Sequence, residues 1–70
     1  MTKFALCIQN IDYGASLILH KLYQVLPDGK DETYGYLRVV DESGEDYLYP
    51  EDWFAPIKLP QAVEAALLAA

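Results

Sequence analysis

Residues 34–50 carry the pattern that most restricts the fold of this chain. They read YGYLRVV, then DESG, then EDYLYP. In the first segment Tyr36, Arg38 and Val40 alternate with Leu37 and Val39, which is the two-residue period of a β-strand. The DESG segment ends in glycine, which suits the left-handed position of a hairpin turn. The pattern therefore predicts an antiparallel hairpin.

Short apolar segments bounded by turn residues predict three further strands around this hairpin. The five predicted strands are Lys3–Gln9, about Lys21–Leu26, Tyr34–Val40, Glu45–Tyr49 and Phe54–Ile57. Pro50 ends the fourth strand because proline cannot donate to a sheet ladder. Glu51–Trp53 is predicted to form a single 3₁₀ turn between the last two strands. Five short strands with regular turns predict a mainly β fold, a small barrel or sandwich.

The connections and the tail complete this prediction. Asn10–Ser16 is expected to be a loop, residues 27–29 (PDG) a turn, and residues 30–33 a charged loop. After Pro60 the alanine- and leucine-rich segment 61–70 has helical spacing. A helix that is apolar nearly all round must bury itself, either on the sheet or against a second copy. Residues 1–58 are thus predicted to form the β body, and residues 59–70 a helical appendage of the same domain.

Composition limits the classes of function. Seventy residues make one small domain, and the 53% hydrophobic content argues against disorder. Cys7 and His20 are the only residues of their types, so an internal disulfide and a Cys/His zinc site are excluded. No cofactor is expected. A net charge of −6 with five scattered basic residues argues against nucleic acid and against an anionic membrane surface.

The expected location is the cytoplasm. The first apolar run is interrupted by Gln9, Asn10 and Asp12, too early for a signal peptide. No segment approaches the roughly 20 apolar residues of a membrane span. A single reduced thiol is normal in the cytosol.

The acidic segment 41–52 has three interpretations. It can be a solvated turn and strand edge, an electrostatic surface for a partner, or a catalytic or metal site. The first is favoured, because Asp41 and Glu42 fall on the predicted turn and Glu45 and Asp46 point to opposite faces of one strand. The carboxylates do not have the spacing of a calcium loop. Negative charge on a strand edge also discourages edge-to-edge association.

The aromatic residues have two interpretations: all belong to the core and to cross-strand pairs, or some form an exposed binding patch. A small β body cannot bury all of them. Cys7, between Leu6 and Ile8, is predicted to be a buried, inert thiol. His20 is predicted to be a partly exposed strand or loop residue without a catalytic partner.

The order of these parts resembles the SH3 family over about residues 4–58. Residues 5–9 (ALCIQ) resemble its first-strand ALYDY motif, and residues 17–26 its diverging turn and following strand. Residues 43–50 (SGEDYLYP) resemble its distal hairpin, and residues 50–54 (PEDWF) its P-x-N-Y-V motif, followed by the final apolar Ile57. The chain is also similar to short bacterial proteins of the SH3 type that carry C-x-x-N, D-x-S-G-E and Y-P elements.

This resemblance implies a five-stranded SH3-like barrel with a short C-terminal α-helix. In that family, aromatic grooves hold proline-rich ligands. Pro50 and Trp53 match the proline and tyrosine of the groove, and Tyr36, or Tyr34, matches its tryptophan. The ALYDY tyrosines fall on Cys7 and Gln9 here, which removes a wall of the usual groove.

The function expected from the sequence is a non-enzymatic module that binds a protein or peptide, basic or proline-containing, on an aromatic and acidic surface. The candidate partner-binding residues are Tyr13, Tyr36, Tyr49, Pro50 and Trp53. The alternative is a structural or regulatory subunit that forms a homodimer or larger homo-oligomer through its C-terminal helix. An enzyme is not expected, because the sequence offers neither a nucleophile–base pair nor a set of metal ligands.

Overall fold

A computed structural model describes residues 4–27 and 35–69 of the chain. The predicted turn residues 28–29, the charged loop 30–33 and Tyr34 lie outside these ranges. The described residues form five β-strands, a 3₁₀ turn and an α-helix. They are β1 (Phe4–Cys7), β2 (Leu22–Leu26), β3 (Tyr36–Val40), β4 (Asp46–Pro50), the 3₁₀ turn (Glu51–Trp53), β5 (Phe54–Ile57) and α1 (Gln61–Ala69). The predicted mainly β fold with a short C-terminal helix is confirmed.

All strand pairs are antiparallel, and the five strands form one sheet in the order β4-β3-β2-β1-β5. Strand β1 is an interior strand, since it pairs with both β2 and β5. Strands β4 and β5 are the two edges. None of the described pairings joins these edges, so the sheet is open.

The predicted hairpin is formed by β3 and β4. Val39 lies opposite Tyr47 and Val40 opposite Asp46. The turn closes with a hydrogen bond from the Asp41 amide to the Glu45 carbonyl, at 3.1 Å. Gly44 has a φ of +84°, in the left-handed region that a side chain would strain. The expectation that this turn needs its glycine is confirmed.

The core lies between the sheet and the loop that joins β1 to β2. The buried hydrophobic residues are Phe4, Ala5, Cys7, Leu17, Tyr23, Val39, Tyr49 and Phe54. Cys7, Leu17 and Val39 have no exposed surface. Leu17 belongs to the loop rather than to a strand, so this loop contributes to the core instead of lying over it. The predicted burial of Cys7 is confirmed.

Helix α1 begins at Gln61, the residue after Pro60. The Pro60 carbonyl accepts a hydrogen bond from the Glu64 amide at 3.0 Å, so Pro60 precedes the helix. No residue of α1 is buried among the described residues. Of the two predicted alternatives, burial on the sheet is not seen, and burial against a second copy stays a prediction. The helix has three large apolar side chains, Val63, Leu67 and Leu68, and all three are exposed. Within the described part of the chain, no helix has the length and apolar character needed to cross a bilayer.

Candidate functional site

Four aromatic rings meet where the β1–β2 loop, β4 and β5 converge. We call this set the aromatic cluster; its members are Tyr13, Tyr49, Trp53 and Phe54. The Tyr13 ring centroid lies 5.6 Å from that of Tyr49, edge-on, and 5.5 Å from that of Trp53. Tyr49 also contacts the rings of Trp53, at 6.2 Å, and Phe54, at 6.3 Å. These spacings are in the range at which aromatic pairs stabilise each other.

The four side chains of the aromatic cluster differ in their exposed fraction, so the cluster has a buried part and a solvent-facing part. Tyr49 and Phe54 are 5% and 4% exposed, whereas Tyr13 is 47% exposed. Trp53 is half-buried and packs against the core. The buried rings therefore support Tyr13 and part of the Trp53 indole, which face solvent.

The loop that carries Tyr13 is held by its own hydrogen bonds. The Tyr13 amide donates to the Asn10 carbonyl at 2.8 Å, and the Leu17 amide donates to the Tyr13 carbonyl at 2.8 Å. The Asn10 side-chain amide donates to the Leu17 carbonyl at 2.9 Å. Asp12, just before Tyr13, has a φ of +64°, a conformation that costs a non-glycine residue about 1–2 kcal/mol. The surrounding bonds over-determine this turn and so fix the direction of Tyr13.

The 3₁₀ turn places Trp53. The Phe54 amide caps the turn on the Glu51 carbonyl, and the Trp53 carbonyl accepts the Ile8 amide at 2.8 Å. Pro50, at the start of the turn, lies opposite Tyr36 in the β3–β4 ladder. The backbone of Trp53 is thus held between the end of β4 and Ile8, the residue after β1.

Asp41 is buried, and for this residue the prediction of a solvated acidic turn is wrong. The other carboxylates of segment 41–52 are exposed as predicted: Glu42, Glu45, Asp46, Glu51 and Asp52. Asp41 is 6% exposed, and within residues 4–27 and 35–69 the donors to its carboxylate are neutral. Its Oδ1 accepts the Ser43 amide at 2.9 Å and the Ser43 hydroxyl at 2.5 Å, and its Oδ2 accepts the Tyr49 hydroxyl at 2.5 Å. Burial raises the pKa of Asp41, but these three hydrogen bonds outweigh it and leave the pKa below its ordinary value. The carboxylate is therefore ionised at neutral pH.

Glu42 ties the same turn to the β1–β2 loop and to β2. Its amide donates to the Ser16 carbonyl at 2.9 Å. Its Oε2 accepts Lys21 Nζ at 2.6 Å and the Tyr23 hydroxyl at 2.5 Å, and the Ile18 amide donates to the Tyr23 oxygen at 2.8 Å. Burial, with help from Glu42, raises the pKa of Tyr23 to about 12. Burial and the bond to a carboxylate also raise the pKa of Tyr49 to about 12.

A pocket of about 260 Å³ opens beside strand β4. It is lined by Tyr13, Asp41, Tyr47, Leu48 and Tyr49, and we call it the β4 pocket. Tyr47, Leu48 and Tyr49 are consecutive, and consecutive strand residues point to opposite faces of a sheet. Since all three line one pocket, the pocket lies along the edge of β4 rather than on one face.

The structure brings three of the five sequence-predicted site residues into contact: Tyr13, Tyr49 and Trp53. The other two, Tyr36 and Pro50, face each other across the β3–β4 ladder.

Tyr49 is buried and offers little surface, and its ring contacts those of Tyr13 and Trp53. Asp41 was missed as part of the site. The signal for it was present, because an Asp two residues before Ser in a turn accepts the Ser amide and hydroxyl.

The remaining chemically reactive residues do not join this site. Cys7 is sealed in the core, and burial raises the pKa of its thiol despite a hydrogen bond from Sγ to the Gln9 carbonyl. His20 is in an exposed turn with a φ of +66°. Among residues 4–27 and 35–69, no three His, Cys, Asp or Glu side chains are grouped so that they could hold a metal ion.

Comparison of the chain with protein-family models, with curated proteins and with solved structures finds no match in any of the three.

Proposed function

We propose that the chain is a non-enzymatic interaction module with an SH3-like fold, which holds a basic or proline-containing segment of another protein. The contact surface consists of Tyr13 and Trp53, extended by Tyr36 and Pro50. Tyr49 supports this surface from below.

The arrangement of the parts supports the SH3-like fold. The resemblance implies five short strands with a hairpin between the third and fourth, and the residues themselves predict a 3₁₀ turn before the fifth. The described residues have these parts in this order. Closure of the open sheet into a barrel is part of the proposal, since the described pairings leave β4 and β5 as edges.

The observation that carries the proposed function is the packing of a half-exposed tyrosine on a rigid aromatic base. Tyr13 is 47% exposed, yet its ring contacts those of both Tyr49 and Trp53. Exposed tyrosine and tryptophan side chains that are already held in place lose little entropy on binding, and they dominate binding energy at interfaces.

Charge supports a basic partner. Asp12 adjoins Tyr13, Glu51 and Asp52 adjoin Trp53, and all three carboxylates are exposed. A lysine or arginine can lie over an aromatic ring and face a carboxylate at the same time. Proline packs on aromatic rings without the entropy loss of a flexible side chain, which supports a proline-containing ligand as well.

The test is a titration of the ¹⁵N-labelled chain with three peptides of equal length: basic with proline, basic without proline, and acidic with proline. We expect amide shifts that centre on residues 13, 36 and 50–53 and on the Trp53 indole, with the basic peptides binding more tightly. Binding should weaken as salt rises, because the charges are exposed.

Substitutions in one loop provide the control. Tyr13→Ala should weaken binding by about tenfold or more, the size of an interface hot spot. Ile11→Ala changes a residue of the same loop that is 58% exposed and should leave affinity within a factor of about two. Shifts that never centre on Tyr13 and Trp53 would reject this surface as the binding site.

A second function, self-association through α1, is favoured by one observation. Val63, Leu67 and Leu68 are 44%, 41% and 46% exposed in the single chain, and Val63 and Leu67 share a face because they are four residues apart. Sedimentation of the full chain and of a chain that ends at Ile57 distinguishes this alternative. A dimer that becomes a monomer on truncation supports it, and two monomers rule it out.

A further inference from the structure

The outer edge of β4 carries backbone hydrogen-bonding groups that point away from β3. At the two ends of the β3–β4 ladder, the Asp41 amide donates to Glu45 and the Glu51 amide donates to Gly35. In an antiparallel pair, hydrogen-bonded positions alternate with positions that face away from the partner strand. The outward-facing groups are therefore the N–H and C=O of Asp46 and Leu48 and the C=O of Pro50. Among residues 4–27 and 35–69, no backbone hydrogen bond to another segment uses them.

The β4 pocket opens at this same edge. Tyr47, Leu48 and Tyr49 line it from the strand, Tyr13 lines it from the loop, and Asp41 contributes a carboxylate. Tyr47 and Leu48 are 49% and 37% exposed. A strand added along β4 would therefore lie over the pocket and could place one side chain in it.

The pocket favours a cation. Asp41 is buried, and in the part of the chain that the structure describes its partners are an amide and two hydroxyl groups, not a cation. Tyrosine rings from two segments form the walls, which suits the stem and the charged end of an arginine or lysine.

The charge of the edge argues against a second copy as the occupant. Residues 35–53 contain six carboxylates and one basic residue, Arg38, which is paired with Asp46 at 2.8 Å. Two such edges brought together would repel each other. A basic strand would instead meet opposite charge along its length.

We propose that an extended basic segment of a partner protein adds as a strand to the outer edge of β4 and places an arginine or lysine side chain in the β4 pocket. The inference rests on the proposed role of the chain as an interaction module and assigns it a second contact surface. Backbone hydrogen bonds supply the attachment, and the pocket selects the basic residue.

The test uses a capped peptide, Ac-Thr-Val-Thr-Arg-Thr-Val-Thr-NH₂, and the same peptide with Glu in place of Arg. Each peptide is titrated into the full chain. Binding is measured by amide shifts and by the fluorescence of the single tryptophan of the chain. We expect the largest shifts at the Asp46 and Leu48 amides. We expect the Arg peptide to bind at least about tenfold more tightly than the Glu peptide, as opposite charges at an interface do relative to like charges.

One substitution blocks the edge without disturbing the hairpin. Leu48→Pro removes an N–H that faces outward, so the hydrogen bonds to β3 remain, and proline is tolerated on edge strands. It should weaken binding by about tenfold, the effect of one net hydrogen bond. Leu48→Ala, which keeps the N–H, should weaken it by less than about threefold. If Leu48→Pro does not fold, a peptide with N-methyl groups on the side that faces β4 removes the same kind of bond from the ligand.

The outcomes separate this inference from the proposed function. Loss of binding with Leu48→Pro or with the methylated peptide, and no loss with Tyr36→Ala, supports strand addition. Unchanged binding with Leu48→Pro, combined with loss from Tyr36→Ala, overturns strand addition and leaves the aromatic surface as the site. No binding of the Arg peptide at millimolar concentration also overturns strand addition. A dimer that is lost in Leu48→Pro would identify a second copy as the occupant and overturn the basic partner.

Discussion

The hydroxyl of Tyr49 donates a 2.5 Å hydrogen bond to Oδ2 of Asp41, and both side chains are buried. The bond joins the end of β4 to the start of the turn that precedes it, eight residues earlier. Tyr13 and Trp53 pack on the same tyrosine ring. The aromatic cluster and the hairpin turn are therefore fixed by one buried polar pair.

Tyr49→Phe removes this hydroxyl and should lower the free energy of unfolding by about 1–3 kcal/mol, because a buried carboxylate oxygen loses its donor. Urea unfolding followed by tryptophan fluorescence measures the change. Tyr47→Phe is the matched control, since the Tyr47 hydroxyl bonds to Glu45 at an exposed position; its effect should stay within about 0.5 kcal/mol. Equal losses in the two variants would contradict the special role of the buried pair.

Acid should unfold the chain by protonating Asp41 and Glu42. Burial raises the pKa of Asp41 less than its hydrogen bonds from Ser43 and Tyr49 lower it. The hydrogen bonds from Lys21 and Tyr23 lower the pKa of Glu42. Both folded-state pKa values lie below the unfolded ones, so this stability is complete above the unfolded pKa of about 4 and is lost as pH falls through the folded value.

As the pH is lowered from about 7 to about 3, the urea concentration at the unfolding midpoint should stay constant down to about pH 4 and decrease below it. Asp41→Asn is less stable at neutral pH but should show a shallower fall, because one of the two groups no longer titrates. An equally steep fall in Asp41→Asn would show that Asp41 does not contribute to the acid transition.

The sequence predicts the strands well where local rules decide. Alternation puts Leu37 and Val39 on one face of β3, glycine marks the left-handed turn at Gly44, and Pro50 precedes the 3₁₀ turn. It fails where the outcome depends on contacts between distant segments. Asp41 is buried because Tyr49 reaches back to it.

Tyr13 is among the predicted binding residues, but its contacts with Tyr49 and Trp53 arise because the β1–β2 loop folds over β4, and no period in the sequence predicts those contacts. Helix α1 leaves a prediction open. Its composition predicts burial on the sheet or against a second copy, and its three large apolar side chains are exposed in the single chain.

Alanine substitutions at Gly14 and Gly44 distinguish the effect of backbone strain from the effect of steric crowding. A Cβ added at Gly14 or at Gly44 would meet no atom within 4 Å, but only Gly44 has a positive φ. Gly44→Ala should therefore lower the free energy of unfolding by about 1–2 kcal/mol through strain alone. Gly14→Ala should be neutral or raise it by up to about 1 kcal/mol, since it restricts the unfolded chain. Thermal unfolding of the two variants checks this, and a stabilising Gly44→Ala would refute the left-handed turn.

The thiol of Cys7 should report opening of the core. It has no exposed surface, and burial raises its pKa, so at neutral pH it is both protonated and out of reach. We expect a disulfide reagent to label the native chain at least about a hundredfold more slowly than the chain in urea, at a rate set by the population of open molecules. Val39→Ala creates a cavity beside the same core and should speed native labelling in proportion to the stability it removes. Ile11→Ala, in the exposed loop, should leave the rate unchanged. Native labelling as fast as labelling in urea would mean that Cys7 is not buried in the native chain. The core that contains Cys7 would then not be the support of Tyr49 and the aromatic cluster.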